Sequence, residues 1–522
     1  MKMKKGLNRV FATLLLSVAG MSVTAQTLMD SLYLVPELLP DGSYFLPAPP
    51  DSASDAFIDD IAQWQWGKTV SAERSERACI ESLNMPESMG VALAGILGID
   101  TISKDDTPAL NRLLVKSFVT GRKSVVGAKV QYMRKRPFMV MNENPRGEYN
   151  DPEVLRLNGS YPSGHTASGW AAALAFAEMW PAFQDTILRR GFEFGENRII
   201  VNAHWQSDVT AGYLCAAAAI ARVHCDPRFE EDIRAARAEY AQLKGIPVPD
   251  GFPFASSDPV SEGSPNGIEC DVPYGERFLN NPVDTASARY MADLRLYWGN
   301  KALRNTERGD TAAVEAEYSV AMMQQVMGDA IDMTINDVAT PAITQLLSYV
   351  LDKASETADR LKVIRFRKRP FVQLGEPSFV PGDEEKERGK SSFPSGHTNL
   401  GWTEALVMTE VAPDYQNEIL RRGYEYGHNR LIVGYHWYTD IEATRQMSSG
   451  LVARLHADPT FCELLAAARA EYEQQVATGV RSMVEEAQQS ESSTRAYRID
   501  GIPATESTRG VVIENNKKYL RQ

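Results

Sequence analysis

Histidine and cysteine are scarce in this chain of 522 residues, with seven of the first and five of the second. Cys79, Cys215, Cys225, Cys270 and Cys462 sit at no metal-binding spacing, and their odd number leaves at least one thiol unpaired. Neither a zinc framework nor a disulfide scaffold therefore follows from them. An excess of positive charge is missing as well. A formal net charge of −13 argues against nucleic acid or an anionic membrane as partner, so an anionic ligand would have to be drawn by a local basic cluster. Long apolar runs are absent too. The segment VFATLLLSVAG is about half the roughly 20 residues a spanning helix needs. It follows Lys2, Lys4, Lys5 and Arg9 and precedes the small residues Val23 and Ala25, the pattern of a signal peptide over residues 1–25, cleaved after Ala25. The mature protein is then expected in the periplasm or outside the cell. VTAGYLCAAAAIARVH (209–224) is apolar but short and interrupted, and reads as a buried helix, which leaves no membrane span in the mature chain.

What the chain does have is the composition of a globular protein, 43% hydrophobic and 24% charged, and a length that suits two to four domains. It also repeats itself. KVQYMRKRPF (129–138) matches KVIRFRKRPF (362–371), YPSGHT (161–166) matches FPSGHT (393–398), and ILRRGFEFGENRIIVNAHWQSD (187–208) matches ILRRGYEYGHNRLIVGYHWYTD (419–440). Weaker matches, FLPAPPDSAS with FLNNPVDTAS and ARVHCDPRF with ARLHADPTF, extend the register outward. A period above 200 residues marks a duplicated domain and not a solenoid. The expected organisation is a first domain over 26–244, a linker rich in Pro, Gly and Ser over 245–275, a second domain over 276–475, and a polar extension over 476–522 with no counterpart and no assigned role. Long stretches rich in Ala, Leu, Glu and Arg predict an all-α fold of two homologous helical bundles.

Six of the seven histidines pair across the repeat, and His428 stands opposite Glu196. His224 and His456 end an apolar helix with no other polar group at fixed spacing nearby, and read as packed or helix-end residues. His204 and His436 are each followed four residues later by a carboxylate, Asp208 and Asp440, which a helix would bring to the same face. Such a carboxylate can fix the imidazole tautomer and leave the other ring nitrogen free as a nucleophile. In Pro-Ser-Gly-His-Thr the residues Gly164 and Gly396 permit a tight turn before a helix, whose N-H groups can hold a phosphate-like anion. Ser163 and Ser395 add a hydroxyl, and His165 and His397 are placed to give a proton. Lys129, Arg136 and Arg198, matched by Lys362, Arg369 and Arg430, supply local positive charge, and arginine suits bidentate contacts to a tetrahedral oxyanion. No carboxylate and histidine cluster with metal-ligand spacing recurs in both copies.

The three blocks Lys-x6-Arg-Pro, Pro-Ser-Gly-His and Arg-x5-His-x3-Asp resemble the motif of the type 2 phosphatidic acid phosphatase superfamily. The wording of SYPSGHT, ILRRG and AHWQSDV is most similar to the bacterial class A non-specific acid phosphatases. That resemblance spans roughly 45–240 and 278–473. It implies secreted helical enzymes that hydrolyse phosphomonoesters, or transfer the phosphoryl group, with no metal or other cofactor. It further implies that His204 and His436 attack phosphorus, oriented by Asp208 and Asp440, while His165 and His397 protonate the leaving alcohol and then activate water. The lysine, two arginines, serine and loop N-H groups would hold the phosphoryl oxygens. One departure is that Asn197 and Asn429 stand where the family usually has serine before the arginine. A vanadium-dependent haloperoxidase and a non-catalytic phosphate-binding protein are the alternatives. Substrate choice falls to the loops 138–161 and 371–393, of which the second carries GDEEKERGK. The duplication also allows the two domains to pack as the subunits of a homodimer would, or to remain independent.

Overall fold

The computed structural model describes residues 32–83, 85–247 and 272–492, with three short strands beyond; the expected signal peptide and most of the expected linker lie outside the described residues. Both halves are helical. In the first, α1 (Pro108–Ser124) starts with proline at its first position, where no backbone N-H is needed. Its buried Leu110, Leu113, Leu114 and Phe118 recur at helical spacing. A short α2 (Val126–Tyr132) follows, then α3 (Gly164–Met179), α4 (Gln184–Ile200), α5 (Gln206–Val223) and α6 (Pro227–Lys244). The second half repeats this with α7 (Pro341–Ile364), unbroken where α1 and α2 are separate, α8 (Gly396–Val411), α9 (Gln416–Ile432), α10 (Tyr438–Leu455) and α11 (Pro459–Ser492). Three antiparallel strands, β1 (Tyr497–Arg498), β2 (Gly510–Glu514) and β3 (Lys517–Arg521), form a small sheet in the C-terminal extension, pairing in that order.

The Ala-rich α3 is buried on all sides and packs on α1, α4 and α5; α8 does the same among α7, α9 and α10. Close approach needs glycine. A Cβ on Gly191 of α4 would lie 2.4 Å from that of Ala173, and one on Gly423 of α9 would lie 2.3 Å from that of Ala405. This contact brings the start of α3 beside the end of α4, where two of the sequence blocks lie.

The halves meet along a reciprocal seam. Helix α3 packs on α10, α5 on α8, and α5 on α10. Each half also extends an arm onto the other. The amide of Asp41 donates to Asn417 Oδ1 on α9 at 2.9 Å, and the amide of Tyr274 donates to Asp185 Oδ1 on α4 at 2.9 Å. Arg289 completes the seam with a bidentate pair to Asp59 at 2.7 and 3.0 Å.

His224 and His456 are packed at helix ends, as expected, and they also have polar partners that local spacing does not show. Their rings stack across the seam at 3.6 Å, His224 Nε2 lies 3.0 Å from Glu178, and His456 Nε2 lies 2.8 Å from Glu410. The carboxylates come from the ends of α3 and α8, 46 residues away in sequence, so no local spacing betrays them. Glu178 and Glu410 are repeat partners, so the two halves together build one carboxylate and histidine cluster that neither shows by local spacing. His428 is packed, lining an interhalf cavity with Tyr161, Tyr424 and Tyr438. Burial, then Arg445 and Arg308, lower its pKa to about 3. Among the described residues no helix is long and apolar enough to cross a membrane.

Candidate active site

Each half gathers its three blocks at one end of its bundle. At the end of α4 the carbonyl of Arg198 accepts from the amides of Ala203 and His204 at 3.0 and 3.1 Å, and that of Arg430 accepts from Tyr435 and His436 at 3.1 and 3.4 Å. The chain is thereby folded back so that the histidine sits beside the arginine six residues before it. Asp208 and Asp440 lie in the first turns of α5 and α10, where each carboxylate accepts the backbone N-H of the preceding tryptophan, at 2.9 and 3.0 Å.

The ring of His204 is fixed at both nitrogens. Arg136 Nη1 donates to Nε2 at 2.8 Å, and a guanidinium can only donate, so Nε2 carries the lone pair and Nδ1 the hydrogen. Nδ1 points at Asp208 Oδ2, 3.3 Å away, with Ser160 Oγ at 3.4 Å. In the second half Arg369 Nη1 donates to His436 Nε2 at 3.2 Å, while Nδ1 donates to the carbonyl of Ser392 at 2.5 Å. The expected His436–Asp440 hydrogen bond is therefore replaced. Asp440 reaches the histidine through Ser392, whose hydroxyl donates to Asp440 at 2.5 Å. The tautomer is the same in both halves.

Ser163 and Ser395 cap α3 and α8, accepting from the amides of Thr166 and Thr398 at 3.3 Å. Gly164 and Gly396 are the first helical residues, and neither has a left-handed backbone; the turn ahead of them contains a cis peptide before Pro162 and Pro394. His165 and His397 donate from Nε2 to the carbonyls of Ser82 and Ala316, at 2.8 and 2.9 Å. This leaves Nδ1 as the nitrogen that can exchange a proton. Asn197 and Asn429 do not enter this cluster. They donate to Glu81 and Glu315 at 2.6 and 2.5 Å, the residues just before those two carbonyls, and so brace the loop that holds the second histidine.

The cations differ between the halves. Lys129 Nζ donates to the carbonyl of Gly159 at 2.6 Å, and Arg136 to those of Leu155, Asn158 and Ala203 at 3.0, 3.2 and 3.0 Å. Arg198 holds Ser82 Oγ at 2.9 Å and Asn150 Oδ1 at 2.8 Å. In the second half Glu387 stands at the repeat position of Leu155 and takes Arg369 Nη2 at 2.6 Å. Lys362 meets Asp359 at 3.1 Å, and Nε and Nη1 of buried Arg430 lack partners. A cavity of about 760 Å³ opens over this second cluster, lined by His397, His436, Arg369, Arg430, Lys362 and Tyr318.

Electrostatics follow from burial and crowded positive charge. Burial, then Arg136, hold His204 well below the usual histidine range, and burial, then Arg369 and Arg430, do so for His436. His165 and His397 are lowered likewise by burial and by Arg198 and Arg430. Burial pulls Arg136 and Arg430 down to about 10 and Arg198 to about 9. Asp208 is the opposite case. Burial pushes its carboxyl up, but Arg134 and His204 outweigh burial and hold it below the ordinary range.

Arg134 was not singled out from the sequence, nor was its counterpart Arg367. Arg134 bridges Asp208 Oδ1 and Asp60 Oδ2, both at 2.7 Å, and Arg367 bridges Asp440 and Asp293 at 2.5 and 2.6 Å. Their repetition within RKRPF was a usable signal, as was that of Ser160 and Ser392 in the SYPSGHT and SFPSGHT strings. Removing one partner from a buried ion network leaves uncompensated charge. Arg134→Met and Arg367→Met should each lower stability by about 3–5 kcal/mol, read from the denaturation midpoint in urea. A loss within about 0.5 kcal/mol, the usual effect of a surface change, would show that the bridge is not needed.

The family model for the PAP2 superfamily matches residues 109–231 and again 340–457, one match in each half. A non-specific acid phosphatase of Providencia stuartii is 37% identical over 195 residues, covering 37% of this chain and 79% of that protein. One of Salmonella typhimurium is 34% identical over 206 residues, 39% of this chain and 82% of the relative. An acid phosphatase of Zymomonas mobilis is 31% identical over 196 residues, 38% and 74% respectively. Each relative is thus matched along most of its length by about two fifths of this chain, and the two family-model matches span the helices that carry the histidine and arginine blocks. The chain belongs to the PAP2 superfamily, and carries its domain twice.

Proposed function

We propose that this chain is an exported acid phosphatase that hydrolyses phosphomonoesters through a phosphohistidine, without a catalytic metal, at two sites per chain. One observation carries the reading. In both halves a buried imidazole presents the lone pair of Nε2 toward an arginine, inside a cluster of further cations, with its Nδ1 hydrogen held by an acceptor. That is a nucleophile held beside an anion site. The similarity to non-specific acid phosphatases supports the same reaction class. The units 26–244 and 276–475 would each carry one site and pack as the subunits of a dimer do.

In the first step Nε2 of His204 or His436 attacks phosphorus and the ester P–O bond breaks. The leaving oxygen takes a proton from Nδ1 of His165 or His397. Water then gives a proton back to that nitrogen as its oxygen attacks phosphorus, the N–P bond breaks, and phosphate leaves. Lys129, Arg136 and Arg198, with Ser163 and the first N-H groups of α3, hold the three phosphoryl oxygens and the charge that builds on them. Lys362, Arg369, Arg430, Ser395 and α8 do so in the second site. The loop residue Glu387 competes there, because a carboxylate on Arg369 occupies the place of a phosphoryl oxygen.

Removing a covalent nucleophile costs many powers of ten in rate. His204→Ala should silence the first site and leave the second working, His436→Ala should do the reverse, and the double variant should fall below roughly 1% of the parent. If one single substitution abolishes all release of phosphate in chelator and the other changes nothing, only one site turns over.

With the first site silenced, Glu387→Ala should lower KM of the second by about tenfold, since a charge-assisted hydrogen bond is no longer displaced. An unchanged KM would mean that the carboxylate does not compete.

The pH dependence follows from the surroundings of the second histidine. His165 and His397 are held neutral there by burial and by Arg198 and Arg430, and the negative charge of a bound phosphate opposes that shift. Protonation is therefore coupled to binding. Phosphate or vanadate should bind with uptake of up to about one proton per site near neutral pH, measured by calorimetry in buffers of different ionisation heat. Turnover should be best at acidic to near-neutral pH, and a rate still climbing above about pH 9 would contradict a histidine acid.

A further inference from the structure

The cluster of His224, His456, Glu178 and Glu410 lies outside the reaction described above. His224 closes α5, sixteen residues beyond Asp208 at its start, which is about 24 Å along the helix. Its Nδ1 lies 2.8 Å from the carbonyl of Ile220, and a carbonyl only accepts, so Nδ1 carries a hydrogen. Its Nε2 faces Glu178 Oε2 at 3.0 Å. In a neutral ring that nitrogen would present a lone pair to a carboxylate. Something positive must stand between them, either a proton or a metal ion.

We propose that a divalent metal ion of the zinc type binds there, held by Glu178, His224 and His456 and joining the two halves of the chain. One ligand atom from each of these residues lies within 4.8 Å of the others. Glu410, 4.0 Å from His224 Nδ1 and 2.8 Å from His456 Nε2, is a further oxygen within the cluster. Two imidazoles and carboxylate oxygens suit zinc better than calcium or magnesium, which take oxygen alone. A metal-binding histidine usually donates its other N-H to a carbonyl or carboxylate, the arrangement His224 has with Ile220. Phe229 and Phe461 close the two sides, with ring centroids 4.7 Å from His224 and 5.2 Å from His456. Arg469 takes one oxygen of Glu410 at 2.8 Å, and Arg237 donates to the carbonyls of Met179 and Glu178.

Ligands at zinc distances lie roughly 3.4 Å apart, so the widest pairs of the cluster would draw closer around an ion. Turning His456 out of its stack on His224 is the movement required.

The test uses the full-length protein, stripped with chelator, loaded with Zn²⁺ and passed through a desalting column. Mass spectrometry should find one retained zinc per chain, with at least tenfold less in Glu178→Gln and His456→Gln. Zn²⁺ should raise the melting temperature of the parent and not of either variant. A stripped parent that retains no more zinc than Glu178→Gln, with an unchanged melting temperature, overturns the proposal and leaves a proton in that place. Should the variants fail to fold, titration of the parent with Co²⁺ decides. A visible ligand-field band saturating at one equivalent supports the site, and no band refutes it. Phosphate release in chelator should persist in either case, which separates this ion from the reaction chemistry.

Discussion

Buried positive charge without matching negative charge is the constraint on which the first half turns. Lys129, Arg136 and Arg198 lie out of water and face carbonyl and amide oxygens, none of them a carboxylate. Desolvated cations in that state are costly, and an anion bound among them would offset that cost. The depressed histidines have the same cause, since the field that attracts an anion repels a proton. Asp208 is kept out of this balance by Arg134, which neutralises it together with Asp60 and lets it orient His204 without cancelling the arginines around it.

The second half answers the same constraint differently. Ala316 has replaced the serine hydroxyl that Arg198 binds, and Arg430 is left with unsatisfied nitrogens. Arg369 is neutralised by Glu387, while Lys362 meets Asp359. A similar arrangement of histidine and arginine is thus set in two electrostatic surroundings, one whose cations meet only neutral acceptors and one with a carboxylate already seated on a cation. The difference arises in the loop before Pro-Ser-Gly-His, where the repeat is weakest.

Much of this was legible in the sequence because duplication acts as an internal filter. Residues kept at one register in both copies, such as Arg136 with Arg369 and His204 with His436, come together in space. The helical class followed from the long stretches rich in Ala, Leu, Glu and Arg, and α1 and α7 carry the same spacing of buried leucines and isoleucine. What escaped was set by tertiary contact. Arg134 and Arg367 show no partner in their local sequence, yet each is buried between two carboxylates from other elements. Asp440 was expected to touch His436 from helical spacing alone, but a one-turn separation permits several rotamers, and the serine carbonyl lies nearer. The seam histidines lacked visible partners because Glu178 and Glu410 are distant in sequence.

The crossed arms have a further consequence. Since Asp41 of one half anchors on α9 of the other, and Tyr274 returns the favour on α4, neither half presents a finished surface by itself. A separate pair of such chains could assemble as like with like, yielding mixtures once their sequences drifted apart. Fusion into one polypeptide fixes the composition at one of each. Every molecule then holds one cluster whose cations meet only neutral acceptors and one with Glu387 seated on Arg369, so the two can diverge while their ratio in the population never changes.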